Sequence, residues 1–320
     1  MTNLASLPVV FCFSGQGSQY YHMAAGLYRD EPVFRQWMQI GDDLVRAYSG
    51  VSVIDAIYDS ERGIADSFDK LEETHPAIFL VQYALAKFLL HHGVQPTELM
   101  GVSLGEFTAM TLAEVVPFDQ ALEAICEQPD LFQRSCAPGG MIGVLGSSSL
   151  HKDLPGPSEV AGINADGHFV LSAPAEALDG IEEALLSRDV ASQRLAVPYA
   201  FHSRWIEPAA GMAKCTFAIE KKLPRWPVWS SCTAAPVTNF TSNFAWQIVR
   251  SPMRVFETVQ NIEAKGGAIY VDLSPSGTMA AIFPQIFGSA SRSRALHILS
   301  PFGGLNKRLK TVLNLARNLR

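Results

Sequence analysis

The stretch Gly101-Val102-Ser103-Leu104-Gly105 sets a serine between two glycines, each two residues away. This spacing suits a sharp strand-to-helix turn. Such a turn lifts a hydroxyl above a sheet and points the next residue's N–H toward a developing oxyanion. A serine hydroxyl is a weak nucleophile until a base takes its proton. Eight histidines compete for that role. His202 is favoured, because Pro198-Tyr199-Ala200-Phe201-His202-Ser203 closes a β-rich run, and catalytic loops gather at strand ends in open α/β sheets. The chemistry in view is nucleophilic catalysis by a serine. The long stretch still following His202 fits poorly with an ordinary α/β-hydrolase, where the histidine comes late.

These residues need elements to position them. Pro8 to Phe13 reads as a buried strand running into the Gly15-Gln16-Gly17-Ser18-Gln19 turn. Met23 to Met38 has helical spacing. Ala77 to His92 carries Ile78, Val81, Leu85, Phe88 and Leu89 at a 3.6-residue period, with Pro76 in its first turn and Gly93 closing it. Glu98 to Gly101 is predicted as the strand entering the serine turn, and Leu104 to about Leu112 as the helix leaving it. A helix from Phe118 should break or kink near Gln128, ahead of Pro129.

A different texture then begins. Met141 to Leu145 reads as strand, Gly162 to Ser172 as strand–turn–strand, Ala175 to Ser187 as amphipathic helix and Ser192 to Val197 as strand. This predicts a small α+β subdomain, residues 138–198, inserted into a core made of 1–137 and 199–320. Further on come a strand over Ala268 to Leu273 and a basic amphipathic helix from Leu305.

Composition narrows the function classes. The 320 residues are 48% hydrophobic and only 18% charged, which favours a sizeable core over disorder. With 25 Lys and Arg against 31 Asp and Glu, the net charge is −6, so phosphate-driven nucleic-acid binding is not expected. The best apolar stretch, Ala77 to Leu90, is broken by Gln82 and Lys87 and is too short to span a bilayer. No Lys or Arg precedes Arg29, so no secretory n-region is expected. Five cysteines without a CxxC pair argue against a disulfide scaffold or a zinc site. A cytoplasmic globular enzyme without a bound metal, and a monomer, is the expectation.

Four motifs together carry a resemblance over nearly the whole chain. They are Phe13-Ser14-Gly15-Gln16-Gly17-Ser18-Gln19, Gly101-Val102-Ser103-Leu104-Gly105-Glu106, Ala200-Phe201-His202-Ser203, and Pro252-Met253-Arg254 with Asp272-Leu273-Ser274-Pro275. The chain resembles the malonyl-CoA:acyl-carrier-protein transacylases, a family that also supplies the acyltransferase units of polyketide synthases. The resemblance implies an α/β-hydrolase-like core with a ferredoxin-like insert. It implies a dyad in which Ser103 attacks a thioester carbonyl and His202 takes its proton. It places the oxyanion hole at the backbone N–H groups of Gln16 and Leu104, and the carbonyl that orients the histidine at Arg254. Gly15 and Gly17 then read as room for backbone approach, since Tyr20 stands where a dinucleotide fingerprint needs its third glycine.

The departures from that family point to the substrate. Malonyl-using members carry histidine where this chain has Val102. They also carry an arginine five residues before a glutamine matching Gln133, a position that falls on Gln128. That arginine forms a bidentate pair with the free carboxylate of the acyl group, and a neutral glutamine cannot. Arg134 would lie roughly 240° around a continuous helix from position 128 and is a poor substitute. Milder departures are Ser14 for proline, His75 for glutamine and Ser274 for glycine. Gln128 and Val102 are therefore expected specificity residues, and Phe201 and Tyr199 are expected to join them.

The resemblance is strongest to the acyl hydrolases that clear stalled acyl groups from carrier proteins of polyketide synthases. The acyl group would ride on the phosphopantetheine of acyl carrier protein or on CoA, with no other cofactor. A malonyl or acetyl transferase shares the acyl-enzyme and differs only in the final acceptor. A non-catalytic carrier-protein-binding module is disfavoured by the intact Ser103, His202 and Gln16. An acidic chain must attract an acidic carrier through a local patch, for which Arg204 and the set Lys307, Arg308, Lys310, Arg317 and Arg320 are candidates.

Overall fold

In the computed structural model, which describes residues 7–213 and 223–318, a six-stranded sheet lies at the centre of the larger part. Its strands are β1 (Val9–Phe13), β2 (Glu98–Gly101), β7 (Val228–Ser230), β8 (Ala235–Pro236), β9 (Ile269–Asp272) and β10 (Arg294–His297), in the order β10-β9-β1-β2-β7-β8. All adjacent pairs are parallel except β7 with β8. The sequence Val-Val-Phe-Cys-Phe of β1 is buried at every position, as a strand covered on both faces requires. Strand order reverses at β1, since the chain moves to β2 on one side and later returns to β9 on the other. That reversal opens a crevice at the carboxyl ends of β1 and β2, where ligands bind in open α/β sheets. The loop after Phe13 and the turn after Gly101 both empty into it.

The inserted sheet is antiparallel and smaller. Strands β3 (Gly139–Leu145), β4 (Glu159–Ala165), β5 (His168–Pro174) and β6 (Ser192–Arg194) run in the order β4-β5-β3-β6. Counting those four in chain order, this is the 2-3-1-4 order of a ferredoxin-like sheet. A 3₁₀ turn at Ser148–Asp153 replaces the first helix of that arrangement. Period-two alternation divides its faces. Ile142, Val144, Phe169 and Leu171 pack on the helix Ala175–Leu186, while Met141, Gly143, His168 and Val170 face the crevice.

Three helices depart from the sequence expectation. The Met23–Met38 segment is two helices, Ala25–Asp30 and Pro32–Ser49, because Glu31 before Pro32 is extended at φ −112°, ψ 104°. The central helix begins at Leu71, so Pro76 lies inside it and His75 is buried in it. The helix Phe118–Ser135 runs through Pro129 without breaking. Its inward face, with Ala121, Leu122, Ile125, Gln128 and Phe132 all buried, supplies the tertiary packing that outweighs one missing N–H. Among the described residues, no helix is long and apolar enough to cross a membrane.

Candidate active site

Two glycines make the serine turn sterically feasible. A Cβ at Gly101 would sit 2.3 Å from Glu106 Cα, and one at Gly105 would sit 2.1 Å from the Phe13 carbonyl oxygen. The first turn of the helix Leu104–Leu112 therefore lies directly on the ends of β2 and β1. Ser103, between them, adopts φ 53°, ψ −125°. A non-glycine residue held there costs on the order of 1–3 kcal/mol, which the surrounding packing must offset. His202 is also left-handed at φ 60°. The two strained residues meet, with Ser103 Oγ 2.8 Å from His202 Nε2.

The histidine is fixed from its other side. His202 Nδ1 lies 2.8 Å from the carbonyl oxygen of Ser251, so that nitrogen donates and Nε2 is left to accept from the serine. This corrects the expectation for Arg254, whose carbonyl already accepts from Thr258 N–H and Thr258 Oγ at the start of the helix Val255–Glu263. The Pro252-Met253-Arg254 motif acts one step removed. Met253 N–H donates to Ala161 at 2.8 Å and Ile163 N–H to Met253 at 2.9 Å, while Arg254 N–H donates to Ser231 at 2.7 Å. These bonds clamp the segment between the two sheets and set Ser251 against the imidazole.

The loop after β1 supplies the opposing wall. A Cβ at Gly15 would stand 2.8 Å from Ser103 Cβ and 3.2 Å from Leu104 N, so only glycine allows the loop this close. Gln82, from the central helix, pins it: its side chain accepts from Ser14 N–H at 2.7 Å and donates to the Ser14 carbonyl at 3.0 Å. In the sequence Gln82 reads only as an interruption of an apolar run. Gln16 and Leu104 both line the chamber, and among the described residues neither backbone N–H has a protein acceptor. Two free N–H groups beside a reactive serine can bind an oxyanion.

Glu106 ties the turn to β7. Its buried carboxyl accepts from Ser230 Oγ at 2.5 Å, Ser231 Oγ at 2.9 Å and Cys232 N–H at 3.1 Å. Burial pushes its pKa up to about 7 against those hydrogen bonds. No sequence signal beyond its place in the motif marked that role.

Ser103, His202, Gln16, Leu104, Val102, Gln128 and Phe201 all line one chamber of about 170 Å³. Gln128 is 6% exposed and faces inward because the helix is continuous. The same continuity carries Arg134 out to solvent, where it pairs with Asp130 at 2.7 Å. Tyr199 departs from expectation. It lines a neighbouring groove with Pro129 and Gln133, and only Phe201, two residues on, reaches the chamber.

Residues 10–306 match the family described as acyl transferase domain. The chain belongs to that family. Among relatives of this acyl transferase domain is the polyketide biosynthesis acyltransferase homolog PksD of Bacillus subtilis, 38% identical over 310 residues and 95% of each chain. The homolog BaeD of Bacillus velezensis is 37% identical, covering 92% of each. In fold, the acyl transferase domain is similar to a loading acyltransferase of the avermectin modular polyketide synthase. The TM-score is 0.87 at 21% identity, over 97% of this chain and 99% of that one.

Burial lowers the His202 pKa from 6.5 to about 4, with the Ser251 hydrogen bond opposing the fall. The neutral, base-competent imidazole therefore persists well below pH 6.5. The acid limb of kcat/KM is expected at a midpoint of about 4, activity falling as pH drops through it. A limb centred near 6.5 in a pH–rate profile would contradict this environment. The stability sign is the same: the unfolded chain takes up a proton that the folded one refuses, so stability falls as pH drops from 6.5 toward about 4.

Proposed function

We propose that this protein is an acyl-enzyme serine hydrolase that removes acetyl or other simple monocarboxylic acyl groups from acyl carrier protein thioesters, proofreading for a polyketide synthase. The observation that carries the reading is the chamber's charge. Among the described residues lining it there is no Arg, Lys, Asp or Glu, and buried neutral Gln128 stands at the position where the resemblance implies a carboxylate-binding arginine. A malonyl carboxylate entering here would be buried without a cation, at a cost of several kcal/mol.

The geometry of the site supports these steps. Ser103 Oγ attacks the thioester carbonyl as His202 Nε2 takes its proton. The oxyanion accepts from Gln16 and Leu104 N–H. Collapse expels the pantetheine sulfur, which receives the proton from His202. Water then attacks the acyl-serine while His202 again accepts a proton, and the carboxylic acid leaves with Ser103 restored. Ser251 stands where triad enzymes place a carboxylate, so the protonated imidazole is oriented by a neutral dipole.

Transfer to a thiol uses the same acyl-enzyme, and the relatives' names as acyltransferase homologs support that second reading. The deciding experiment is mass spectrometry of acetyl- and malonyl-loaded carrier protein incubated with the enzyme, with and without an acceptor thiol. Loss of acetyl to water without acceptor supports hydrolysis. Acyl retention until thiol is added supports transfer.

Carrier-protein docking fits a solved complex of a malonyl transacylase with its acyl carrier protein, which shares this fold at TM-score 0.80 and 21% identity. Arg204, beside His202, is exposed, stacked 4.8 Å from the Trp205 ring and offset by Glu159 at 3.3 Å. In the C-terminal set, Arg308 is tied to the Ile298 and Gly303 carbonyls. Arg320 lies outside the described residues, and the Arg317 side chain is not described either. Arg204→Glu is expected to raise KM for carrier-bound substrate about fivefold, the effect of roughly 1 kcal/mol at an exposed contact, and to spare small thioesters. Equal loss on both substrates would move Arg204 out of docking.

A further inference from the structure

One wall of the chamber is polar without being charged. His75 is 4% exposed and lines it, with Nδ1 2.5 Å from Gln16 Nε2. Gln16 Nε2 also donates to Thr74 Oγ at 3.0 Å. With Nδ1 accepting from the amide, the ring proton sits on Nε2. Among the described residues that N–H has no acceptor. Burial lowers the His75 pKa to about 3, so the ring is a neutral donor at physiological pH. Gln128 adds a side-chain amide with no protein partner among the described residues, and Gln16 Oε1 is buried and unpaired. Elsewhere the lining is mostly apolar, with Val102, Phe107, Met141, Val170 and Phe283 among it.

Such a wall separates three kinds of acyl group. A plain hydrocarbon chain displaces water from the His75 N–H and the Gln128 amide and leaves both unpaired, which disfavours it. A carboxylate finds donors but no countercharge. A hydroxyl or ketone oxygen accepts from the N–H, and a hydroxyl also donates to the amide oxygen. Sites built around a substrate oxygen discriminate strongly against the analogue that lacks it.

Resting on the acyl-enzyme reading above, we infer that the chamber selects monocarboxylic acyl groups bearing an uncharged oxygen, hydroxyacyl or ketoacyl chains, with His75 Nε2–H as the specificity-determining donor and Gln128 as its second partner. His75 could instead serve only as a prop for Gln16, and the two roles make different predictions. A prop changes the rate for every substrate alike, whereas a donor changes the ratio between substrates.

The test compares pantetheine thioesters of hexanoate, 3-hydroxyhexanoate and 5-hydroxyhexanoate, read as kcat/KM and as Ser103 acylation by intact mass. In the wild type at least one hydroxy ester is expected to exceed hexanoate by about tenfold, the scale of one hydrogen bond. His75→Phe keeps a ring but has no donor, and should bring that ratio to within about twofold. His75→Gln can both accept from Gln16 and donate into the chamber, and should keep most of the preference. A wild-type ratio near one overturns the inference, as does a His75→Phe variant in which all rates fall together with the ratio intact. If hexanoate acylates Ser103 while the hydroxy esters gain nothing, the inference fails and the acyl-enzyme reading stands. If no thioester acylates Ser103, that reading fails and takes the inference with it.

Discussion

Ser103→Ala is expected to abolish acyl-enzyme formation and cut thioester turnover by about 10⁴-fold or more, while leaving the fold intact. The substitution keeps the Cβ that faces Gly15 and asks nothing new of the backbone, which is already at φ 53°. It removes only the hydroxyl that meets His202. His202→Ala should lower the rate by a comparable factor, because the pair acts as a unit and the losses do not add. That variant also leaves the Ser251 carbonyl without its partner and empties a buried site, so a drop in Tm should accompany it. Intact-mass analysis after mixing with acetyl-pantetheine reads the first outcome directly. An acyl adduct persisting in Ser103→Ala would place the nucleophile elsewhere. Near-normal turnover by His202→Ala would make another histidine the base.

The parts of this site legible in the sequence are those that glycine and side-chain chemistry write there. Gly101 and Gly105 are read from their spacing because each marks a place where a Cβ would collide with β1 or the following helix. Strand β2 and the helix Leu104–Leu112 have the ends that the pattern predicts. His202 is found through its motif; the strand expected to end beside it stops at Arg194, in the inserted antiparallel sheet. The carbonyl that orients it is not, because a backbone oxygen carries no residue signature. Only the bonds that hold Met253 and Arg254 reveal that Ser251 is the one presented. Gln82 is invisible for a related reason: one polar residue in an apolar helix reads as an interruption until the loop it pins is seen across 68 positions of sequence.

Proline rules mislead at Pro76 and Pro129, and the second error bears on function. A missing N–H and a clash with the preceding turn weaken a helix locally. Here the apolar face of Phe118–Ser135 is buried on both sides of the proline, so packing holds the helix straight enough to keep Gln128 facing inward. Position 128 is thus a chamber residue by tertiary contact, which local propensity does not encode.

Gln128→Arg is expected to raise malonyl loading of Ser103 relative to acetyl by at least about tenfold, because a guanidinium restores the bidentate partner that a carboxylate needs. The continuous helix removes the geometric objection: a side chain at 128 enters the same chamber as Ser103 and His202. The gain in the single variant stays partial, since Val102, 9% exposed on the same lining, offers no polar group. Adding Val102→His should increase it further. Acetyl hydrolysis should fall in parallel by several-fold, because with acetyl bound the new arginine is enclosed in a chamber with no Asp or Glu among the described residues lining it. Competitive loading from equal acetyl and malonyl thioesters, wild type beside each variant, separates these outcomes. Efficient malonyl loading by the wild type would mean that the carboxylate finds a partner other than residue 128, and the transferase reading would then replace hydrolysis of simple acyl groups.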